Sequence, residues 1–323
     1  YRDKKGLLFE VLYYKNRINL EIFHALSDGT GAMQFMRLLV FHYLRYAHKE
    51  INSSIAELGI GVSDREKTEN GFSKYYEKPS KKIHIPKYKA AKINGDKLEK
   101  DELKIIEGKV STSKLLELAR SYNTTITVLL TAILLSSISK DLSNKQKRNP
   151  VSLMIPVNLR NFFPSDSLRN FFWWIDIGYD FSEQPSDFEA VIQFVKDFFK
   201  NEITKERMAA RVNPLIKWEK NFLLRAVPLE IKQILMQAIH LAGRGNTAIY
   251  SNVGRIEMPK ECSEYIELFD IFTSTPKVEM TTCSFQDNFV ITFASIYEDT
   301  CVIKNFFKEI TKEGIEVQIS AIP

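Results

Sequence analysis

His24, Asp28 and Gly29 lie in the stretch IFHALSDGTGAMQFM, residues 22–36. A short apolar segment runs into a histidine, Asp-Gly follows four residues on, and a helical pattern then begins. A base that strips a proton from an attacking hydroxyl or amine must titrate near neutral pH, which is the range of an imidazole. One ring nitrogen takes the proton. The other needs a hydrogen bond, or the tautomer is undefined. A tight Asp-Gly turn after the histidine can lock such a geometry, and the aspartate can do so by holding the loop through an arginine rather than by touching substrate. The same residues also make an ordinary strand-to-helix junction, because Asp before Gly at a helix start is a common N-cap.

The elements around this turn are readable. LLFEVLYY (7–14) and INLEIFH (18–24) are apolar and β-branched, with KNR between them, which predicts a β-hairpin. Met33, Met36, Leu39, Val40, Tyr43 and Leu44 fall at helical spacing within 30–48, with Ser27 and Asp28 at the cap position and Gly29 and Gly31 relaxing the turn. Residues 50–100 turn polar and carry the basic run KPSKKIHIPKYKAAK (78–92). They read as a linker or surface excursion and mark a boundary near residue 100.

Beyond it, ELKIIEGKV (102–110) predicts a strand. Helices follow over 113–122 and about 126–141, capped by Ser111 or Thr112 and by Thr124 or Thr125. VSLMIPVNL (151–159) and FFWWIDIGYDF (171–181) predict buried strands. Residues 186–243 read as helical, broken at Pro214 and Pro228 and stopped at Gly243 and Gly245. Strands are expected at 247–254 and near 265–274, 277–286 and 288–297, then a helix at 300–312 and a last strand at 315–321. Strands and helices mix without strict alternation, which predicts an α/β chain of α+β character with mixed sheets and packed helices.

At 323 residues the chain is long enough for two packed units. Its 44% hydrophobic and 26% charged content is that of a folded protein. The net charge of +5 suits an anionic ligand and does not demand nucleic acid. Cys262, Cys283 and Cys301 are sparse and lack CxxC spacing, which points to a reducing, cytoplasmic compartment. No secretory pattern opens the chain, and TVLLTAILLSSIS (127–139) is shorter than the about 20 apolar residues a membrane span requires. His42 and His48 do not share a helix face, and His84 and His240 are isolated, so no metal site is expected. FFWWIDI is expected in the core. The basic run could draw coenzyme phosphates or an acidic carrier, or simply be a solvated loop. GRGN (243–246) follows a helical segment rather than opening one, unlike a phosphate-binding loop.

Two later segments extend the histidine motif. IPVNLRNFFPSDSLRNFF (155–172) contains Pro-x-Asn-x-Arg and a later Asn, and YSNVGRIEMP (250–259) contains Ser-Asn-x-Gly. Strand–His-x-x-x-Asp-Gly–helix followed by these two segments, in this order, resembles the chloramphenicol acetyltransferase-like superfamily over nearly the whole chain. That group includes peptide-synthetase condensation domains, alcohol acetyltransferases and polyketide-associated acyltransferases. The resemblance implies a two-subdomain CoA-dependent acyltransferase-like sandwich. Residues 1–100 would be the C-terminal portion of the N-terminal subdomain plus a crossover linker, and 101–323 the C-terminal subdomain. It also implies transfer of an acetyl or other acyl group from acyl-CoA to a small-molecule alcohol or amine, with coenzyme A as co-substrate rather than bound cofactor. His24 would be the general base and Asp28 structural, with Gly29 permitting the turn. Arg160, or an arginine preceding this chain, would be the partner of Asp28. Ser251 or Asn252 would hold the oxyanion. An acyl carrier protein as donor, or a non-catalytic domain that binds carrier or acyl ligand, are the alternatives.

The pattern departs from the family in three places. Phe23 stands where many members have the first of two histidines. SNVGR occupies the region of the plant branch's Asp-Phe-Gly-Trp-Gly. Only twenty-three residues precede His24, so part of the N-terminal subdomain is expected to lie outside this chain.

Overall fold

The computed structural model describes residues 7–59, 70–76, 85, 89–220, 227–228 and 245–322. Contacts divide the chain into two compact units, and the first is assembled from three stretches of sequence: Tyr1–Tyr76, Asn158–Trp173 and Glu257–Glu267. The second comprises Glu77–Val157, Trp174–Ile256 and Leu268–Pro323.

The first unit opens with the expected hairpin, β1 (Phe9–Tyr14) and β2 (Arg17–Ile22), paired antiparallel from Phe9↔Ile22 to Tyr14↔Arg17. The turn is shorter than KNR. Lys15 takes φ +53° and Arg17 is already in the strand, which fits the left-handed conformation of two-residue hairpin turns. Alternation puts Phe9, Val11 and Tyr13 on one face with Ile22, Leu20 and Ile18 opposite them, and the Phe9 ring meets Phe35 edge-on at 5.3 Å. Phe35 belongs to α1 (Gly29–Ala47), whose buried side carries Gly31, Met33, Val40, Phe41 and Leu44. The two shortest helices, α2 (Gly71–Lys74) and the later α7 (Lys260–Ser263), also belong to this unit.

The second unit is built on a seven-stranded mixed sheet. Its strands are β3 (Lys104–Ser111), β4 (Val151–Asn158), β5 (Phe172–Tyr179), β6 (Ala248–Ile256), β7 (Val278–Phe285), β8 (Asn288–Ser295) and β9 (Gln318–Ile322). They run in the order β5-β4-β6-β7-β8-β3-β9. The pairs β4–β6 and β6–β7 are parallel, whereas β7–β8, β8–β3 and β3–β9 are antiparallel. Every residue of the central strand β7 is buried, as expected where both faces of a sheet are covered.

The helices of this unit are α3 (Thr112–Ser121), α4 (Ile126–Asp141), α5 (Phe188–Glu202), α6 (Lys205–Lys220) and α8 (Cys301–Lys312). Ser111 and Thr125 supply the caps of α3 and α4, their hydroxyls accepting from Lys114 and Val128 N–H. Twelve successive residues of α4, Val128–Ser139, are buried, so the apolar TVLLTAILLSSIS run is a core helix. No single described helix is long and apolar enough to cross a membrane; α3 and α4 pass that test only as a pair, and they are bent by 80°.

Three sequence expectations require correction. Residues 265–274 form no strand, and the chain there is irregular between α7 and β7. Pro214 lies inside α6 rather than ending it. The last strand begins at Gln318, not 315. Pro228 is described without regular structure, while Gly243, His84, His240 and most of the basic run lie outside the described residues.

Gly108 of β3 shows how tightly α8 is seated on this sheet. A Cβ there would lie 2.3 Å from Phe307 Cε1. Phe307 is buried and meets Phe293 and Phe306 edge-on at 5.7 and 5.6 Å, so its ring has nowhere to retreat. Gly108→Ala is expected to destabilise the protein by roughly 1–3 kcal/mol through overpacking. Phe307→Leu in the same chain should recover part of that loss, because the two positions share one contact. Urea unfolding of the two single variants and the double variant measures the coupling.

Candidate active site

The chain leaves β2 at Ile22, passes through Phe23–Ser27 and enters α1 at Gly29. Phe23 N–H donates to Leu8 O (2.8 Å), and Leu26 N–H donates back to Phe23 O (2.8 Å), which curls the segment into a turn. His24 is on the outside of this turn and exposed. Its ring lies 5.7 Å from that of Phe172, tilted by 48°.

Asp28 is the opposite case. It is 4% exposed, and both carboxylate oxygens are engaged. Oδ1 accepts from Gly31 N–H (3.0 Å), making Asp28 rather than Ser27 the N-cap of α1. Oδ2 accepts from Phe171 N–H (2.8 Å) and from Arg160 (2.8 Å). The aspartate therefore makes no hydrogen bond to His24. It ties the turn to the segment that follows β4.

Arg160 organises that segment. Besides Asp28, its guanidinium donates to Ser167 O (2.7 and 3.1 Å) and Arg169 O (2.7 Å), with weaker contacts to Asn158 Oδ1 and Phe171 O. A planar fork of five N–H donors can collect several carbonyls at once, which an ammonium cannot. Asn158 caps the short turn Leu159–Asn161 through its Oδ1 and donates to Thr30 Oγ1 (3.2 Å). Ser27 Oγ donates to Leu168 O (2.6 Å), and a Cβ on Gly31 would lie 2.2 Å from Ser27 Oγ and 2.3 Å from Leu168 O. Of the two glycines expected to relax this turn, Gly31 is the crowded one, whereas Gly29 is the first residue of α1 and does not take a positive φ.

Sequence reasoning passed over Asn170, which stood only as the last letter of a motif. Its Nδ2 donates to His24 O (2.9 Å) and Ala25 O (3.3 Å). No periodicity or spacing signals a contact across 146 residues. Only the pairing of two carbonyls with one amide in the folded chain shows it.

Ser251 and Asn252 lie on β6 of the second unit. Asn252 is committed on both sides: Nδ2 donates to Thr127 Oγ1 on α4 (2.8 Å), and Oδ1 accepts from Gly254 N–H (2.8 Å) at a register shift where Gly254 takes φ +89°. Ser251 faces the other side of the sheet, opposite Thr281 of β7, is partly exposed, and its hydroxyl has no hydrogen-bond partner among the described residues. Elsewhere His48 stacks on Tyr265 at 3.8 Å, and its Nδ1 is 3.4 Å from Glu50. Asp141, Asp299 and Cys301 bring their side-chain ligand atoms within 4.8 Å of one another, a grouping no sequence spacing announced. All three are exposed, and Asp299 Oδ1 accepts from the Cys301 N–H at the start of α8, which accounts for its place.

Removing the Arg160 side chain leaves a buried carboxylate without its cation and frees the carbonyls of Ser167 and Arg169. Arg160→Ala is expected to cost about 3–5 kcal/mol of stability, the scale for breaking a buried pair from one side. Arg160→Lys keeps the charge but loses the fork and should fall between the two. Denaturant midpoints of the three proteins decide it.

No family model and no curated protein matches the chain. Solved structures do match. TRI101 of F. graminearum, complexed with coenzyme A and T-2 mycotoxin, has a TM-score of 0.57 at 12% identity over 94% of this chain and 66% of that one. The trichothecene 15-O-acetyltransferase TRI3 of Fusarium sporotrichioides has a TM-score of 0.52 at 11% identity, covering 89% and 63%. The epimerization domain from the third module of tyrocidine synthetase B has a TM-score of 0.51 at 14% identity, covering 95% and 72%. At such identities the likeness is one of fold. That fold is the condensation-domain and acetyltransferase fold to which the histidine motif pointed.

Proposed function

We propose that a chain with this fold, carrying His24 on a turn fixed by Asp28, is an acyltransferase that moves an acetyl or other acyl group from a thioester to an alcohol or amine. The observation that carries the reading is the division of labour in the turn. Asp28 is buried and fully engaged with Arg160, Phe171 and Gly31, while the imidazole four residues earlier is exposed and held by its backbone. An aspartate used in this way shapes the loop and leaves the histidine to do proton chemistry.

In this reading His24 accepts the proton of the acceptor's O–H or N–H as that atom attacks the thioester carbonyl. The tetrahedral oxyanion collapses, the C–S bond breaks, and the imidazolium returns its proton to the departing thiolate. Atoms and charge balance without a covalent acyl-enzyme, and the cysteines have no part. Two of them, Cys262 and Cys283, are buried. For the oxyanion, Ser251 is the stronger of the two candidates, because its hydroxyl is uncommitted whereas the Asn252 amide is engaged at both ends. Free acyl-CoA is the proposed donor and co-substrate, in keeping with a structural neighbour solved with coenzyme A. A loaded acyl carrier protein is the alternative bearer. We assign residues 1–100 to the C-terminal portion of an N-terminal subdomain with its crossover, residues 101–323 to the C-terminal subdomain, and the protein to the cytoplasm.

A second reading, a domain that binds carrier or acyl ligand without transfer, draws on Phe23. It is 46% exposed at the position where many members of the superfamily carry a further histidine.

The test is thiol release from acetyl-CoA by the full-length protein with a panel of alcohols and amines. Acceptor-dependent release is expected, reduced by about 100-fold or more in His24→Ala. Release that persists in the variant overturns the role of His24. Acetyl-CoA binding without release, from free or carrier-borne donor, selects the binding-only reading.

A further inference from the structure

Three consecutive residues after the Arg160 loop touch the catalytic turn at three different places. Asn170 Nδ2 donates to the carbonyls of His24 and Ala25, Phe171 N–H donates to Asp28 Oδ2, and the Phe172 ring lies against the His24 imidazole at 5.7 Å. Alternation along this extended tripeptide explains the pattern: the side chains of Asn170 and Phe172 point one way, and the Phe171 ring points the other. Phe171 is 2% exposed and packs on Phe72 at 5.1 Å, anchoring the tripeptide in the first unit.

The amide orientation of Asn170 follows from its partners, since two carbonyls require the NH₂ end. That leaves Oδ1, which is inaccessible and has no hydrogen-bond partner. A buried acceptor left open costs free energy, and such groups call for an explanation. Among the described residues neither ring nitrogen of His24 has a hydrogen-bond partner, so no contact there sets its tautomer. The two unmet requirements are complementary: one acceptor without a donor, and one ring N–H without an acceptor, joined through the carbonyl of His24 itself.

We infer that Asn170 is a positioning residue for His24. Its NH₂ clamps the backbone of the turn, and its Oδ1 receives the imidazole N–H when the ring turns into its working orientation, with Phe172 limiting the ring's rotation. This rests on the acyl-transfer reading for its consequence in turnover, but not for its structural content. An Oδ1 acceptor holds the proton on one nitrogen and leaves the other as the base.

The experiment reads the ring itself. With ¹⁵N-histidine labelling, the five histidines give separable signals, and His24→Gln assigns the one that matters. The wild-type ring is expected to hold one tautomer. Asn170→Ala should mix the two tautomers and lower kcat at least tenfold with KM within twofold. Asn170→Asp keeps an oxygen acceptor and adds negative charge, which favours the imidazolium, so the ring pKa should rise relative to wild type. Phe172→Leu, which leaves the Asn170 clamp intact, covers the case in which the alanine variant fails to fold. Phe172→Leu should loosen the tautomer preference without the charge effect.

A His24 ring with the same tautomer populations and titration in wild type, Asn170→Ala and Asn170→Asp overturns the proposal. Failure of the acyl-transfer reading shows up separately, as absence of turnover in the wild type, and leaves the ring measurement intact.

Discussion

A single carboxylate holds the candidate site together. Asp28 is buried and accepts three hydrogen bonds, one from its own helix and two from a segment more than 130 residues away. Charge-assisted bonds of this kind are individually stronger than neutral ones. They also come from three directions, so the turn has one geometry. The guanidinium of Arg160 converts that local restraint into a wider one, because the same planar group gathers the carbonyls of Ser167 and Arg169. Desolvation makes the pair costly to break from either side. Backbone direction at His24 is thereby decided by residues that do not touch its ring.

The second unit meets a different constraint. Its sheet is covered by α4 and α8, and contact between strand and helix leaves no slack where Gly108 meets Phe307. At the register shift in β6, Asn252 bonds to α4 on one side and to its own strand on the other. Bulges of this type re-aim the residues beside them. Ser251, on the face away from Asn252, has no hydrogen-bond partner for its hydroxyl among the described residues. The two candidate residues of Ser-Asn-x-Gly thus separate into a structural one and an available one.

Much of the fold was legible because the patterns are strong. Apolar runs such as 127–139, alternating strands such as 7–14, and caps at Ser111, Thr125 and Asp28 report local physics that tertiary structure did not override. Expectations failed where the signal was composition without periodicity, as at 265–274, or a proline read as a break, as at Pro214, which α6 accommodates. The site was legible only in part. The types and spacing of His24, Asp28 and Gly29 marked a turn, and Arg160 was one of two candidate partners for Asp28, the one with which the structure pairs it. Asn170 was not foreseen in any role, nor were the contacts of Ser27 and Gly31 with Leu168. Their roles are contacts between chain segments far apart in sequence, and a linear pattern carries no record of which carbonyl an amide will face.

That the first unit is stitched from three separated stretches has a consequence for biogenesis. The hairpin and α1 leave the ribosome early, but the guanidinium that completes their turn arrives only after another 132 residues. The stretch ending at Glu267 comes later still. Loop closure over such distances is slow, and contacts of high sequence separation form late. During translation the nascent turn must wait with its carboxylate hydrated rather than paired, while the strands and helices of residues 104–157 emerge in between. The turn therefore becomes whole only once residue 171 has been made, and a truncated product ending before residue 160 would contain His24 without the means to hold it.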